Sequence, residues 1–505
     1  MPPSIVSAPE FPMRIGSPQE FACVRDFFKR SAFDDATVCR ALVIGDMSEF
    51  GQVRWKEIRL EAWPPALRWC IDVFARGLAR SESESRTLCG EKVFASFLAL
   101  GLLGSGKKDP TALVCPVWVY PADGFVVASD RREGPDGNPY APPEDVVFPA
   151  IYPGTFRFLR LLPGARGGQA LDLCGGSGIG ALRFSRSARE AVTADLTERS
   201  AFFAEFNARL NETRVSSLCG DLYAPVTGRQ FDVIAAHPPF VPATGPNMVY
   251  RDGGETGEEI TRRTVEGLPD HLRPGGICVI VCVARDTQEK PFEQRARDWL
   301  GAAGEEFDVI FGLEKILSVE EVVESMRKRG QEISEKTAAE LLTRLRSLGT
   351  RQFVYGALFL RRYMQAVGQP PARIRISPEA GAEDFERLLA WRHHARQPGF
   401  GDWLARSTPG LAPHLELTAR HVVRQNQLVP AEFVFSVEGA LQAALRPDGW
   451  LVPLVARLDG KQSVAEVFET ANRADELPKG FTVDAFGGLV GTMIEMGLLE
   501  VEFPR

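Results

Sequence analysis

The sequence predicts an α/β protein in which a doubly wound, seven-stranded sheet follows a helical N-terminal domain and precedes a small α+β C-terminal domain. Short apolar runs alternate with helical patterns over about residues 169–362, which is typical of a parallel sheet with helices on both faces. A glycine cluster, ALDLCGGSGIGAL (170–182), lies between the first run and a helix start, where such sheets bind nucleotides. A chain of 505 residues also exceeds one ordinary hydrophobic core, so we expect two or three domains.

The composition is that of a soluble protein, with 44% hydrophobic residues, 25% charged residues and a formal net charge of −7. No apolar run approaches the roughly 20 residues of a membrane span, and the N-terminal segment carries prolines and a glutamate where a secretory signal needs a basic start and an apolar core. We therefore expect a cytoplasmic protein without membrane contact. The net charge disfavours nucleic acid as a partner but leaves a local basic patch open. Nine cysteines without a CxxC pair predict reduced thiols and no metal site.

The first predicted domain, residues 1–112, is helical. Its segment SPQEFACVRDFFKRS begins with Ser17 and has Glu20 three positions on, which is the spacing of a helix capping box. Between 112 and 130, two β-rich runs flank a Pro-Ala-Asp-Gly turn and predict a hairpin. We assign this hairpin, together with the sheet, to a second domain over residues 113–367.

The third predicted domain, residues 368–505, follows the linker GQPPARIRISPEAG. Its last part alternates helical patterns and ends in a short strand, and it resembles a small winged-helix or peptide-binding fold. Before the linker, the charged stretch SVEEVVESMRKRGQEISEKTAAELLTRLRSLG predicts a solvent-facing helical insertion ahead of the seventh strand. The seven predicted strands are ALDLCG, EAVTADL, VSSLCGDL, FDVIAAHPP, GICVIVCVA, EFDVIFGL and RQFVYGALFL.

The glycine cluster also fits a dinucleotide fingerprint, because Gly176, Gly178 and Ala181 satisfy GxGxx(G/A). Asp172, in the strand before the loop, argues against that ligand, since a carboxylate repels a pyrophosphate a few ångströms away. A ligand with an ammonium group, a sulfonium and no phosphate gains from the same carboxylate, and that ligand is S-adenosylmethionine. LDLCGGSGIGAL resembles the first motif of class I S-adenosylmethionine-dependent methyltransferases, which have a Rossmann-like fold.

This resemblance implies the cofactor contacts. Glycines of the loop let the backbone approach the methionine part of the ligand, and the helix beginning near Ile179 directs its dipole at the ligand carboxylate. Asp195 in VTADLT accepts hydrogen bonds from the ribose hydroxyls, and Asp221 and Leu222 in LCGDLYAP contact the adenine. The segment PAIYPGT lies where related enzymes close over the cofactor. The predicted cofactor residues are Tyr152, Thr155, Asp172, Cys174, Gly176, Gly178, Gly180, Asp195, Leu196, Asp221, Leu222 and His237.

FDVIAAHPPFVP (231–242) places a second motif at the end of the fourth strand. It resembles the (N/D)PP(Y/F) motif of methyltransferases that modify planar nitrogen: release-factor glutamine, adenine N6 and guanine N2 enzymes. The resemblance implies His237, Pro238 and Phe240 as catalytic residues. The side chain at 237 and the carbonyl of Pro238 accept hydrogen bonds from the target amino group, and Phe240 packs on the planar substrate. AEFNARLN and YRDGGETGEE also resemble the glutamine methyltransferase family.

His237 departs from that motif, because the family has Asn or Asp at this position. A neutral imidazole offers one acceptor, and it takes up a proton near pH 7. We therefore expect His237 to deprotonate an N–H or O–H nucleophile as the methyl group transfers. The alternative is that His237 only positions the substrate.

These motifs predict an S-adenosylmethionine-dependent methyltransferase that acts on a nitrogen or oxygen nucleophile of a small molecule, as in natural-product biosynthesis, or of a peptide. The C-terminal domain would bind the substrate or its carrier. Four alternatives stay open: a protein glutamine N-methyltransferase, an rRNA base methyltransferase, another reaction that consumes S-adenosylmethionine, and a non-catalytic S-adenosylmethionine sensor. An intact HPPF disfavours the sensor, because a sensor needs no substrate clamp.

Overall fold

The computed structural model describes residues 11–106, 109–135, 143–244, 249–328, 333–366 and 368–503. Its N-terminal part is mostly helical and packs around a buried cluster of aromatic rings from α1, α3 and α5. The predicted capping box is present: the Ser17 hydroxyl accepts a hydrogen bond from the Glu20 backbone, and the Glu20 carboxylate accepts from the Ser17 backbone. The elements are α1 (Pro18–Arg30), α2 (Asp35–Leu42), α3 (Pro65–Cys70), β1 (Arg80–Ser81), α4 (Glu82–Cys89), α5 (Glu91–Ala99), β2 (Gly104–Ser105) and β3 (Ala112–Val114).

The predicted hairpin consists of β4 (Trp118–Ala122) and β5 (Phe125–Ser129). It packs on α8 (Glu198–Leu210), and two asparagines hold it there. The Asn207 side chain accepts from the Ala128 amide at 2.7 Å and donates to the Ala128 carbonyl at 2.9 Å. Asn211 accepts from the Val126 amide at 2.9 Å. Asn207 also donates to the Ser177 carbonyl at 2.9 Å, so it connects the hairpin to the glycine loop.

The central sheet contains a strand within each of the seven predicted segments. In spatial order β8, β7, β6, β9 and β10 run parallel to their neighbours, and β12 is antiparallel to both β10 and β11. The inner parallel strands β7, β6, β9 and β10 are largely buried, which explains their mostly apolar sequences, whereas the edge strand β8 is partly exposed. The bounds are β6 (Gln169–Leu173), β7 (Glu190–Asp195), β8 (Val215–Cys219), β9 (Phe231–Ala236), β10 (Leu272–Thr287), β11 (Phe307–Leu317) and β12 (Thr350–Arg362).

Helices cover both faces of this sheet. The predicted insertion before the seventh strand forms two helices, α12 and α13, which bury a small apolar cluster of their own against β12. No helix in the described ranges has the length and apolar character of a membrane span. The helices are α6 (Pro153–Leu161), α7 (Ile179–Phe184), α8, α9 (Glu259–Glu266), α10 (Leu268–His271), α11 (Phe292–Trp299), α12 (Val319–Lys328) and α13 (Glu335–Ser347).

The C-terminal part extends the central sheet, and its assignment as a separate α+β domain stays a prediction. β13 pairs in parallel with β11, and β17, β16 and β15 continue from β13, so the sheet has eleven strands. The mixed α/β fold around one large sheet is confirmed, whereas the sheet is not limited to seven strands. The elements are β13 (Ala372–Ile376), α14 (Ala382–His394), α15 (Phe400–Arg406), β14 (Gly410–Leu411), β15 (Leu415–Arg424), β16 (Gln427–Val437), β17 (Leu441–Leu445), α16 (Leu451–Ala456), α17 (Val464–Arg473), α18 (Val483–Glu495) and β18 (Leu499–Glu500).

The start of the C-terminal part is anchored in the main core. The Phe385 ring of α14 stacks on Phe359 of β12 with centroids 3.9 Å apart. The buried Arg157 of α6 forms an ion pair with Glu314 and donates to backbone carbonyls of residues 377–380. A separate apolar cluster begins only at Trp391 and extends to Leu499. The proposed domain boundaries at 112/113 and 367/368 stay predictions, and residue 367 lies outside the described residues.

Candidate functional site

The candidate site lies at the carboxyl edge of the sheet, where four neighbouring strands end. Asp172 is the second-to-last residue of β6, Asp195 is the last residue of β7, and Asp221 lies two residues after the end of β8. His237 follows β9 directly. Since parallel strands end at one edge, residues far apart in the sequence come together there, as ligand sites of open α/β sheets require.

Three glycines in the loop after β6 and the first turn of α7 are required by contacts within the protein. A Cβ atom on Gly175 would lie 1.9 Å from the Thr193 hydroxyl, and one on Gly180 would lie 2.6 Å from the Asp172 carboxylate. Gly178 has a φ of +78°, and a Cβ atom there would lie 2.8 Å from the Cβ atom of Ala204 on α8. Side chains at these positions would separate the loop from the sheet and from α8.

Gly176 differs from these three glycines. Its φ is +52°, and a Cβ atom on it would meet no heavy atom within 4 Å. Among Gly176, Gly178 and Gly180, Gly176 alone borders open space, and the contacts of all three with the cofactor stay predictions. Cys174 also has a positive φ of 56°, so the backbone turns sharply on both sides of Gly175.

Asp172 lies behind the loop. Its carboxylate is buried and accepts a hydrogen bond from the Ala181 amide at 3.0 Å. Burial raises the pKa of Asp172 to about 7; the nearby Asp195 raises it further, and the amides of Ala181 and Gly180 oppose the shift. The carboxyl group thus holds the start of α7, and a direct contact with the ligand stays a prediction.

Asp195 supports the loop from the next strand. Its carboxylate accepts from the Gly176 amide at 2.9 Å and from the Thr197 amide at 3.3 Å, and burial raises its pKa. The neighbouring Leu196 leaves 55% of its surface exposed. A carboxylate beside an exposed apolar side chain suits a ribose with its attached base.

Asp221 has a partner that the sequence did not reveal. Its carboxylate pairs with the Arg263 guanidinium of α9 at 2.7 Å, and the following Leu222 has a φ of +48°. Both side chains of the pair are about half exposed. An adenine amino group would therefore share the Asp221 carboxylate with Arg263.

His237 lies between two aromatic rings. Its ring centroid is 5.5 Å from that of Phe158 and 6.0 Å from that of Phe240, and both pairs are stacked. Burial lowers the pKa of His237 to about 4, so the imidazole is neutral at pH 7. An imidazole with so low a pKa holds an abstracted proton weakly, and the role of His237 as a base stays a prediction.

Two hydrogen-bond acceptors of the HPPF segment remain unused. Across the described ranges, the structure shows no hydrogen bond to the ring nitrogens of His237 or to the carbonyl of Pro238. The segment itself is held in place, because the Val241 amide donates to the Arg251 carbonyl at 3.0 Å and the Gly253 amide donates to the Val241 carbonyl at 2.9 Å. The acceptors are therefore presented on a supported loop.

An aromatic wall borders the same edge, and sequence reasoning identified only one of its members. The wall consists of Phe148, Tyr152 and Tyr250: the Phe148 ring lies 4.5 Å from that of Tyr152 and 5.6 Å from that of Tyr250. The Arg132 guanidinium lies 4.9 Å from the Tyr152 ring. Phe148 and Tyr250 are each 38% exposed. No local motif marks them, because they come from different loops.

The wall is continuous with the start of α6. Tyr152 precedes this helix, and Thr155 lies in its first turn. A Cβ atom on Gly154 would lie 3.6 Å from Cε1 of His237. The predicted residues Tyr152 and Thr155 are thus near His237, and their contact with a cofactor stays a prediction.

The cofactor side of this edge fits S-adenosylmethionine. Gly176 offers an open backbone surface for the methionine part, Asp195 offers a carboxylate for the ribose, and Leu196 offers an apolar surface for the base. The carboxylate form of Asp172 places negative charge behind the loop, which complements a ligand with two cationic groups. Contacts of the individual residues with the cofactor stay predictions.

Comparison with known proteins assigns this region to a family. Residues 149–297 match the family model of the methyltransferase small domain. A putative protein N5-glutamine methyltransferase of Methanocaldococcus jannaschii is 29% identical over 149 residues, which are 28% of this chain and 71% of that protein. A release factor glutamine methyltransferase of Koribacter versatilis is 33% identical over 132 residues, 23% of this chain and 47% of that protein.

A third relative has a different kind of substrate in its name. The ribosomal RNA small subunit methyltransferase C of Alcanivorax borkumensis is 25% identical over 165 residues, 30% of this chain and 45% of that protein. The chain thus spans less than half the length of two of these three relatives. Each of the three matches covers less than a third of this chain.

Proposed function

We propose that this S-adenosylmethionine-dependent methyltransferase, whose residues 149–297 match the methyltransferase small domain, methylates the side-chain amide nitrogen of a glutamine in a protein substrate. Two of the relatives described above are named as glutamine methyltransferases. The sequence predicted a small molecule or a peptide as substrate, and none of the three relatives described above is named for a small-molecule substrate. A protein glutamine N-methyltransferase was one of the four alternatives that the sequence left open.

The two free acceptors of the HPPF segment carry this proposal. A neutral imidazole has one acceptor nitrogen, and the Pro238 carbonyl is a second acceptor. A primary amide has two N–H groups, so it satisfies both acceptors. A hydroxyl nucleophile has one hydrogen and would leave an acceptor unpaired, at a cost of about 1–3 kcal/mol when buried.

The chain contributes mainly position to the reaction. When bound, S-adenosylmethionine supplies a methyl group on a sulfonium that leaves as a neutral thioether. His237 and Pro238 hold the amide nitrogen so that it forms the new N–C bond as the C–S bond breaks, and such alignment is worth roughly 7–11 kcal/mol. The amide proton then passes to water, because the low pKa of His237 makes it a poor acceptor of that proton.

The stacked rings hold the other parts of the substrate. Phe240 lies beside His237 and offers its face to the planar amide. The half-exposed aromatic wall offers further apolar surface to the peptide on either side of the glutamine. A narrow site for a free small molecule would not need so much exposed surface around its entrance.

A fractionation assay tests the proposal. Purified protein and S-adenosylmethionine with an isotope-labelled methyl group are added to a cell extract, which is then separated into protein, RNA and small molecules. We expect the label in protein, on a glutamine whose mass increases by one methylene. Label in RNA would favour the rRNA alternative, and label only in small molecules would contradict the proposal. Asp195→Ala is the control, because its carboxylate supports the cofactor loop.

A further inference from the structure

Exposed large hydrophobic residues gather in two places in the described chain. One set borders the candidate site, and the cofactor and substrate account for it. The second set lies on the hairpin formed by β15 and β16, and its members are Leu417, Val423, Leu428 and Val429. Val423 and Leu428 are 71% and 72% exposed. Val423 and Leu428 lie directly opposite each other on the two strands, so the two most exposed side chains of this set are neighbours.

β15 is also an open sheet edge. It is the terminal strand of the eleven-stranded sheet, and the strand ladders of the described residues pair it with β16 alone. It is ten residues long and mostly exposed. Its sequence LELTARHVVR contains neither the proline nor the lysine that often protects such an edge from pairing.

We propose that a second copy of this chain pairs with β15 in antiparallel orientation, about a two-fold axis through Arg420. The sheets of two copies then join into one continuous sheet. In this register each residue n lies opposite residue 840 − n of the partner copy. The proposal does not depend on the methylation substrate.

The sequence of β15 is complementary to itself in this register. Glu416 lies opposite Arg424 of the second copy on one face, and Leu417 lies opposite Val423 on the other face. Symmetry makes each pair occur twice. The alternation of faces is regular because the irregularity near Arg420 adds its extra residue, Ala431, to β16 and not to β15.

The charges support the same register. The structure gives neither Glu416 nor Arg424 an ion pair within the described chain, so both are available to a partner. Arg420 meets its own copy at the axis, but it already forms an ion pair with Glu432 at 3.0 Å, which offsets the repulsion. An axis through Thr418 would instead place Glu416 opposite this occupied Arg420 and leave Val423 and Arg424 without partners in β15.

Charge reversal across the axis tests the proposal. Sedimentation velocity of the full chain over a wide concentration range is expected to show a monomer–dimer equilibrium in the micromolar range. Glu416→Arg and Arg424→Glu each replace two attractive pairs with two repulsive ones, and each is expected to weaken dimerisation by about tenfold or more. The double variant restores opposite charges and is expected to return the dissociation constant to within about threefold of the original value.

Arg351→Glu is the matched control. Arg351 is exposed at the start of β12, so the substitution makes the same change of charge as Arg424→Glu at a position away from the β15 edge. It is expected to leave the equilibrium unchanged. Circular dichroism and S-adenosylmethionine binding verify that each variant is folded. A wild-type chain that is monomeric at all concentrations overturns the proposal. So does a dimer that neither single reversal weakens, and so does a double variant that remains as weak as the single variants.

Discussion

The two halves of the candidate site differ in what their polar groups do. In the cofactor half, Asp172 and Asp195 already accept hydrogen bonds from the loop, and glycines are required where the loop meets Thr193 and Ala204. In the substrate half, the acceptors of His237 and Pro238 have no partner among the described residues. Close packing inside the chain therefore defines the cofactor half, whereas hydrogen-bond acceptors without a partner define the substrate half.

The largest effect is expected from a change that breaks the packing of the cofactor half. Gly178→Val places a side chain against Ala204 at a positive φ, which combines overpacking with backbone strain and costs about 2–5 kcal/mol. We expect a lower urea midpoint and no measurable S-adenosylmethionine binding by calorimetry.

Gly176→Ala sharpens this result, because Gly176 also has a positive φ but borders open space. It is expected to lose only about 1–2 kcal/mol of stability through backbone strain. Equal stability losses in the two variants would contradict the distinction between packed and open glycines.

The next effect concerns His237 in the substrate half. His237→Ala removes one acceptor and is expected to lower kcat by about 10- to 100-fold, whereas His237→Asn keeps an acceptor and is expected to retain most activity. The pKa of His237 is lowered to about 4, so protonation removes the acceptor only as the pH falls towards 4. The rate of the wild-type enzyme should not follow a His237 titration between about pH 6 and 8. A rate that rises through pH 6–7 in the wild type but not in His237→Asn would restore His237 as a base.

A smaller effect links the cofactor half to pH. Burial raises the pKa of Asp172 to about 7 in the free protein, and a cationic ligand favours its carboxylate form. S-adenosylmethionine binding should therefore release a proton below about pH 7, and affinity should rise about tenfold from pH 6 to pH 8. Because the amino group of the ligand titrates in the same pH range, the affinity is also measured for Asp172→Asn. This variant should lack the rise in affinity that comes from Asp172. Identical pH dependence in both proteins would show that Asp172 is not coupled to the cofactor.

The smallest effect is expected from the aromatic wall. Phe148→Ala removes the central ring of the wall and is expected to raise KM for the protein substrate about threefold to tenfold, while the Kd for S-adenosylmethionine stays unchanged. Leu348→Ala, another exposed apolar residue outside the site, should change neither constant. A change in cofactor affinity with an unchanged KM would place the wall in the cofactor half.

The sequence by itself determined the parts of the protein that depend on local pattern. The apolar runs indicated a strand within each of the seven segments from β6 to β12, because strands inside a sheet are rich in apolar residues. The glycine loop and Asp195 were recognisable because a strand, a turn and a helix start must follow one another within a few residues. HPPF was recognisable for the same reason, since two prolines restrict the backbone of a short segment.

Only the tertiary structure decided properties that depend on distant neighbours. The low pKa of His237 results from its burial, including the contact with Phe158 of α6. The open face of Gly176 depends on which parts of β7 and α8 fill the space behind its neighbours. β13 lies beside β11 in a region held by contacts between residues far apart in the sequence. Phe385 stacks on Phe359, and Arg157 donates to the backbone carbonyls of Ser377 and Ala380 just after β13. Sequence patterns indicate which residues are buried, but not which of them meet, and burial and pairing decide charge, reactivity and accessible surface.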